Sequence, residues 1–286
     1  MRTDKPIPEL TAAFAALVGQ DVDDERIDLV RASLTIARTE YPDLDIEKYA
    51  VRVDELARRV GAHIPESAGD AAQTIAALNQ VLFEEEGFRG NVENYYDPRN
   101  SFLNDVLDRK LGIPISLAVL YMEVARRIGF PLFGVGMPGH FLLKHYDVDG
   151  RQVLIDCFDQ GHILSDSDCQ QRLDEIYSGQ LPLQPDFLLA VSRRQILTRI
   201  LNNLKTVYLS TRSFKKALPL VDLVLVIYPR SPEDVKQRAL LRYSLGLMRG
   251  AAEDLEQYLK MSPDASDADD IRQTALSIRR SLAMRN

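Results

Sequence analysis

The C-terminal third of the chain repeats itself, and the repeat restricts the fold more than any other feature. Ala217 returns as Ala251, Pro229 as Pro263, Ser210 as Ser244 and Leu225 as Leu259, each after 34 residues. At the same spacing Phe214 becomes Met248 and Val221 becomes Leu255. A small residue where two helices cross, an apolar register carried over unchanged and a proline that stops the second helix together describe a helical hairpin copied once. A hairpin of this size cannot bury its apolar face alone. The copies must stack on each other and on neighbouring helices or the preceding domain.

Upstream the periodicity is less regular. Ile27, Val30, Leu34, Ile36 and Ala37, then Tyr49, Val51, Val53, Leu56 and Ala57, fall at helical spacing, with "YPDLD" breaking the run between them. "DAAQTIAALNQVLFEE" adds a further helix before Gly87. The stretch from Glu85 to Gly112 mixes glycine, asparagine and tyrosine without a period and reads as a structured loop followed by a short helix. In it Asp97-Pro98 makes a turn, Asn100 or Ser101 caps the next helix, and Tyr95 and Tyr96 cover the core. Asn94, Tyr95, Tyr96, Arg99, Asn100 and Asn104 are the residues of this loop that could instead line a groove.

"GIPISLAVLYMEVARRIGFP", Gly112 to Pro131, is bracketed by proline near its start and glycine near its end and is apolar almost all round, which predicts a buried helix of about four turns. The period then changes. Asp149-Gly150 is a hairpin signal, and it predicts two antiparallel strands over about Phe141 to Val148 and Gln152 to Phe158. His140 follows a Pro-Gly turn at the head of the first strand, and Asp156 lies near the end of the second.

Composition sets the outer limits. With 286 residues, 45% hydrophobic and 27% charged, the chain is long enough for two cores and too apolar for extended disorder. No run reaches the 18 or so apolar residues of a membrane span, and "MRTDKPIPEL" lacks the layout of a signal peptide, so the expectation is a cytoplasmic protein. A net charge of -7 gives no basis for nucleic-acid or anionic-membrane partners, and the arginines of "SRRQILTR" read as a solvated helix face. Cys157 and Cys169 are too few for a disulfide framework and lack metal-ligand spacing, which predicts reduced thiols and neither metal nor cofactor. His145 and His162 could join His140 and Asp156 around a metal, but scattered histidines of this kind are far more often solvated or hydrogen bonded.

A buried helix with a glycine turn before it, then a strand opened by histidine, then a strand closed by aspartate is the order of papain-like and transglutaminase-like cores. The run from "VLFEEEGFRGNVENYYDPRNSFLNDVLDRKLGIPISLAVLYMEVARRIG" through "GVGMPGHFLLKHY" to "LIDCFD" resembles the bacterial SirB-type proteins, which join a transglutaminase-like domain to tetratricopeptide repeats. The resemblance covers roughly residues 26 to 265. It implies an α+β fold, mostly helical, with a core of a buried helix and a small antiparallel sheet followed by tetratricopeptide-type hairpins. The domains expected are 1-180 and 181-286. The tryptophan and glycine usual in the first helix of such a repeat are missing near Asn202 and Lys205.

The resemblance also implies roles. In an active core of this kind a cysteine at the helix start attacks, histidine takes its proton and aspartate orients the histidine. His140 and Asp156 match the last two positions, whereas "GIP" stands where Gly-x-Cys belongs and puts Pro114 at the nucleophile position. Ser116 is two residues further on, where each helical residue turns about 100°, so its hydroxyl points well away from that position. Cys157 could serve only from a strand, without a helix dipole to stabilise its thiolate.

The expected function is therefore a non-catalytic regulatory or protein-interaction protein that takes a protein or peptide partner through its repeats. The alternative is an amide or ester hydrolase or acyltransferase using His140 and Asp156 with Ser116 or Cys157. Strand parity separates the two arrangements of the pair. A two-residue turn at Asp149-Gly150 would put His140 on one face with Cys157, whereas an odd-length loop or a bulge puts it with Asp156.

Overall fold

The computed structural model describes residues 7–64, 71–147 and 149–284. Val148, at the end of the first expected strand, and Asp70, at the head of one expected helix, lie outside them. The chain forms two compact units, one of residues 23–200 and one that joins the N-terminal helix α1 (Ile7–Val18) to the residues from Leu201 onward.

The first unit opens with α2 (Leu29–Ala37) and α3 (Ile46–His63), capped by Asp28 and Asp45, whose carboxylates accept the amide hydrogens of Arg31 and Lys48. Ala50, Val53, Leu56, Ala57 and Val60 of α3 are buried. Val51, counted above among the apolar positions, is 61% exposed because it falls between the stripes of the helix. α4 (Ala71–Asn79) runs into a π-helical stretch, Gln80–Glu85, before a two-residue strand β1 (Arg89–Gly90). α5 (Leu103–Arg109) and β2 (Leu111–Gly112) follow, and β2 pairs in parallel with β1.

The predicted buried helix is α6 (Pro114–Arg127), with proline at its first position and every residue from Pro114 to Ala125 buried. Glu123, fully buried in it, is matched by Arg126 at 2.9 Å, Arg127 at 3.1 Å and Arg193 at 2.6 Å. The rest of the unit comprises β3 (Phe133–Val135), β4 (Leu142–Tyr146), β5 (Gln152–Asp156), β6 (His162–Leu164), α7 (Asp166–Tyr177) and β7 (Ala190–Val191). The strands form one antiparallel sheet in the order β6-β5-β4-β3-β7. Val135, Leu142, Leu154 and Leu164 come together on one face with Cys169 and Leu173 of α7. The fold is α+β and mostly helical.

α8 (Arg193–Ser210) begins with the arginines read above as solvated. They are not: Arg193 pairs with the buried Glu123 and Arg194 with Asp24 at 3.3 Å, each side chain 16% exposed. Carboxylates distant in sequence recruit them, a signal that a local window lacks.

The second unit continues with α9 (Phe214–Ile227), α10 (Pro232–Ser244), α11 (Met248–Met261) and α12 (Ala268–Ala283). The 34-residue repeat governs its geometry. α9 and α11 start and stop 34 residues apart, and so do the ends of α8 and α10. The left-handed residue of the inter-helix turn is Arg212 in one copy and Gly246 in the other. Ala217 and Ala251 are fully buried at the helix crossings. α1 packs on α9, where Gln20 donates its side-chain amide to the Ile227 carbonyl at 2.7 Å. Between the helices Arg238 holds Asp254 at 2.7 Å and Asp222 at 3.1 Å, three buried or nearly buried charges that satisfy one another.

Candidate functional site

His140 is set by a turn. Its amide donates to the Met137 carbonyl at 3.1 Å, with Pro138 and then Gly139 at the corner, and the φ of +72° at Gly139 is one that favours glycine. A side chain at Gly139 would also meet Ile176 of α7 at 2.9 Å.

The register of β4 and β5 brings Asp156 to it. Leu143 pairs with Ile155 and Tyr146 with Gln152, which leaves the five residues 147–151 between the strands. Asp147 organises this loop, its carboxylate accepting the amide hydrogens of Asp149 at 2.9 Å and Arg151 at 2.8 Å. An odd loop puts even-numbered residues of both strands on one face, the condition parity set for the pair. His140 Nε2 lies 2.9 Å from Asp156 Oδ2, and Asp156 is fully buried.

Asp156 is saturated with partners. Its Oδ1 accepts the amide hydrogens of Phe158 at 2.9 Å and Asp159 at 3.3 Å, and its Oδ2 also faces Arg172 Nη2 at 3.1 Å. Burial alone would raise its pKa, but His140, Arg172 and the Phe158 amide together hold it below the ordinary carboxylate value. With the carboxylate ionised, Nε2 is the N–H donor of the histidine. Nδ1 carries no hydrogen bond to any described residue. Phe158 stands edge-on to the imidazole at 6.1 Å between ring centres, and Tyr95 stands edge-on to Phe158 at the same distance.

The nucleophile candidates are placed elsewhere. Ser116 is 2% exposed; it donates to the Asn100 carbonyl at 2.6 Å and accepts the Ile113 amide hydrogen at 3.0 Å. Its hydroxyl ties the start of α6 to the preceding loop. Cys157 is fully buried, and burial with the neighbouring Asp156 charge pushes its thiol well above the ordinary value. A thiol so placed is a poor nucleophile. Cys169 is likewise pushed up, to about 11, by burial. His145 stacks on Phe130 with ring centres 4.1 Å apart and donates from Nδ1 to the Pro131 carbonyl at 2.9 Å.

The 91–104 loop keeps the expected turn at Asp97-Pro98, where the Asp97 carboxylate accepts the Arg99 amide hydrogen at 3.0 Å, and departs from its other expected roles. Phe102 is the N-cap residue of α5 and makes no side-chain cap, while Asn100, fully buried, accepts from Asn91 at 2.9 Å and donates to the Asn94 carbonyl at 2.7 Å. Asn100 binds loop to loop because its amide can donate and accept at once. Tyr95 and Tyr96 face solvent at 38% and 77% exposure instead of covering the core. Arg172 has no local motif to mark it in the sequence. Arg199, the last arginine of "SRRQILTR", is not the solvated side chain expected there: it donates to the His140 carbonyl at 2.7 Å, a partner that only the fold brings to it.

The profile of the transglutaminase-like superfamily matches residues 47–202, and that of the tetratricopeptide repeat matches residues 204–275. A UPF0162 protein of Xylella fastidiosa (strain 9a5c) is 39% identical over 254 residues, 88% of this chain and 90% of that protein. The chain belongs to the UPF0162 family and to the transglutaminase-like superfamily. Another UPF0162 relative, from Vibrio cholerae, is 28% identical over 244 residues, 85% of this chain and 90% of its own. The similarity extends to human F-box only protein 21, at 30% identity over 186 residues, 62% of this chain and 29% of that protein. In this UPF0162 chain, as the resemblance implied, a transglutaminase-like region precedes a tetratricopeptide region. Among the described residues no helix is long and apolar enough to cross a membrane.

Proposed function

We propose that this UPF0162 protein is a non-catalytic regulatory protein of the cytoplasm that binds a protein or peptide partner through its tetratricopeptide unit, the transglutaminase-like unit retaining the base and orienting residues of an ancestral core. The observation that carries the reading is the start of α6. The resemblance assigns the nucleophile position to Pro114, the first residue of the helix, which has no group that can attack, and the nearby Ser116 hydroxyl is buried with its donor and acceptor capacity engaged. Cys157 adds to it, since a sealed thiol of raised pKa supplies no thiolate. His140 and Asp156 then have nothing to activate.

The partner-binding half rests on the exposed residues of α10. Leu240, 49% exposed, lines a cavity of about 270 Å³ with Lys205, Glu233, Asp234, Lys236 and Gln237, and Tyr243, three residues further along the helix, is 48% exposed. Helical repeats use such faces to hold partners.

The test is labelling of the full chain with serine- and cysteine-directed acylating probes, compared with Ser116→Ala, Cys157→Ser and His140→Ala. The expected result is no labelling that depends on His140. Labelling abolished by His140→Ala and by either nucleophile variant would overturn the reading in favour of an acyl-transfer enzyme.

A further inference from the structure

Beside His140 lies a cation with no anion among the described residues. Arg199 donates from Nη2 to the His140 carbonyl at 2.7 Å and to the Met137 carbonyl at 3.3 Å, and its guanidinium lies 5.4 Å from the centre of the Phe141 ring. No carboxylate of a described residue lies within 4 Å of it. Its situation differs from that of Arg172 on the same site, which is already shared between Asp156 at 3.1 Å and Asp159 at 2.8 Å. Among the described residues the site therefore holds one uncompensated positive charge. Burial disfavours the charged form of Arg199, the effect expected of a guanidinium withdrawn from water without a counter-charge.

Three further features converge on the same place. The unpartnered Nδ1 of His140 presents a lone pair while Nε2–H is committed to Asp156. Tyr95 and Tyr177 are each 38% exposed and Ile176 45%, although they come from two separate segments. Ile176 and Tyr177 approach Gly139, next to the histidine, and Tyr95 reaches the imidazole through Phe158. Partly exposed aromatic and aliphatic side chains gathered around a desolvated charge are the composition of a recognition surface.

We propose that this surface of the transglutaminase-like unit binds the carboxy-terminal residue of a peptide, its carboxylate on Arg199, its amide hydrogen on His140 Nδ1 and an apolar side chain against Tyr95, Phe158 and Tyr177. A single carboxylate suits the site better than a phosphate dianion because one cation is free and the other is neutralised. The histidine and aspartate thereby gain a use that needs no nucleophile. The inference is independent of partner binding by the repeats.

The experiment is an NMR titration of full-length protein labelled with ¹⁵N in its four histidine rings. The probes are N-acetyl-Ala-Ala-Phe as the free acid, the same peptide as its C-terminal amide, and inorganic phosphate. The acid is expected to shift the His140 resonances saturably, and the amide to bind at least about tenfold more weakly, a difference of about 1.4 kcal/mol. Arg199→Gln is expected to lose about the same factor and Arg199→Lys to keep most of the affinity. An unmoved His145 resonance, reporting the stack on Phe130, verifies the fold of each variant; should Arg199→Gln fail it, the acid and amide comparison on the unmodified chain decides. Equal binding of acid and amide, unchanged binding by a folded Arg199→Gln, tighter binding of phosphate than of the acid, or no saturable shift would each overturn the proposal.

Discussion

The imidazole of His140 and the carboxylate of Asp156 meet at 2.9 Å because five residues, an odd number, separate the paired ends of β4 and β5. One residue fewer would turn one of the two side chains to the opposite face of the sheet. The pair is thus a product of loop length, and Asp147 braces the loop by accepting two of its amide hydrogens.

Asp156 is expected to support the fold in a pH-dependent way. Asp156→Asn leaves His140 and Arg172 without their shared anion and should cost about 3 kcal/mol at pH 7, since breaking one side of a buried pair strands the other. The folded pKa lies below the unfolded one, so the stabilisation is present above about pH 4 and is lost as pH falls through the folded value. Denaturant titrations at pH 7 and pH 3 check this, and a gap between the two proteins that stays constant on acidification would contradict it.

Ser116→Ala removes the hydroxyl that joins Ile113 and Asn100. The loss leaves a buried carbonyl and a buried amide with one partner fewer, and about 1 to 2 kcal/mol of stability should go with it. Chemical denaturation measures the cost. A variant as stable as the parent would mean the hydroxyl is not a structural tie.

Cys157 should be silent towards thiol reagents while the protein is folded. At pH 8 the native chain is expected to resist modification at Cys157 by iodoacetamide over hours, and to react readily in strong denaturant. Mass spectrometry of the modified peptides locates the label, and rapid native alkylation of Cys157 would show that the thiol is open.

The repeat makes a paired prediction. Ala217→Leu and Ala251→Leu insert the same bulk at equivalent, fully buried crossings, and each should destabilise by about 1 to 3 kcal/mol. Thermal melts of the two variants compare them directly. Tolerance at one site and not the other would mean that the two hairpins are packed differently.

Removing Arg238 should be more severe than removing an exposed arginine. Arg238→Leu leaves Asp222 and Asp254 facing each other, with Arg242 as the remaining cation near them, and about 3 kcal/mol is the expected loss. The comparison is Arg279→Leu, whose partner Glu256 is solvent-exposed and whose loss should cost under about 1 kcal/mol. Equal costs in denaturant unfolding would argue that the buried cluster carries no special weight.

What could be read in the chain was what depends on neighbours in sequence. The period of 34 located the helix ends of the repeat, Pro114 and Gly129 bracketed α6, and Asp149-Gly150 found the hairpin, since caps, turns and apolar stripes act over a few residues. Parity even stated the condition under which His140 and Asp156 meet. Contacts from afar stayed out of reach. The arginines of α8 looked solvated because Glu123 and Asp24 lie about 70 and 170 residues away, and α1 gave no sign that it packs on α9. By itself the sequence determined the kinds of element and their order, set by local backbone and side-chain chemistry. Only the tertiary structure decided which charges are paired, that His140 and Arg172 hold Asp156 ionised, and that Arg199 stands beside His140 with no anion among the described residues, because electrostatic partners are chosen by distance in space.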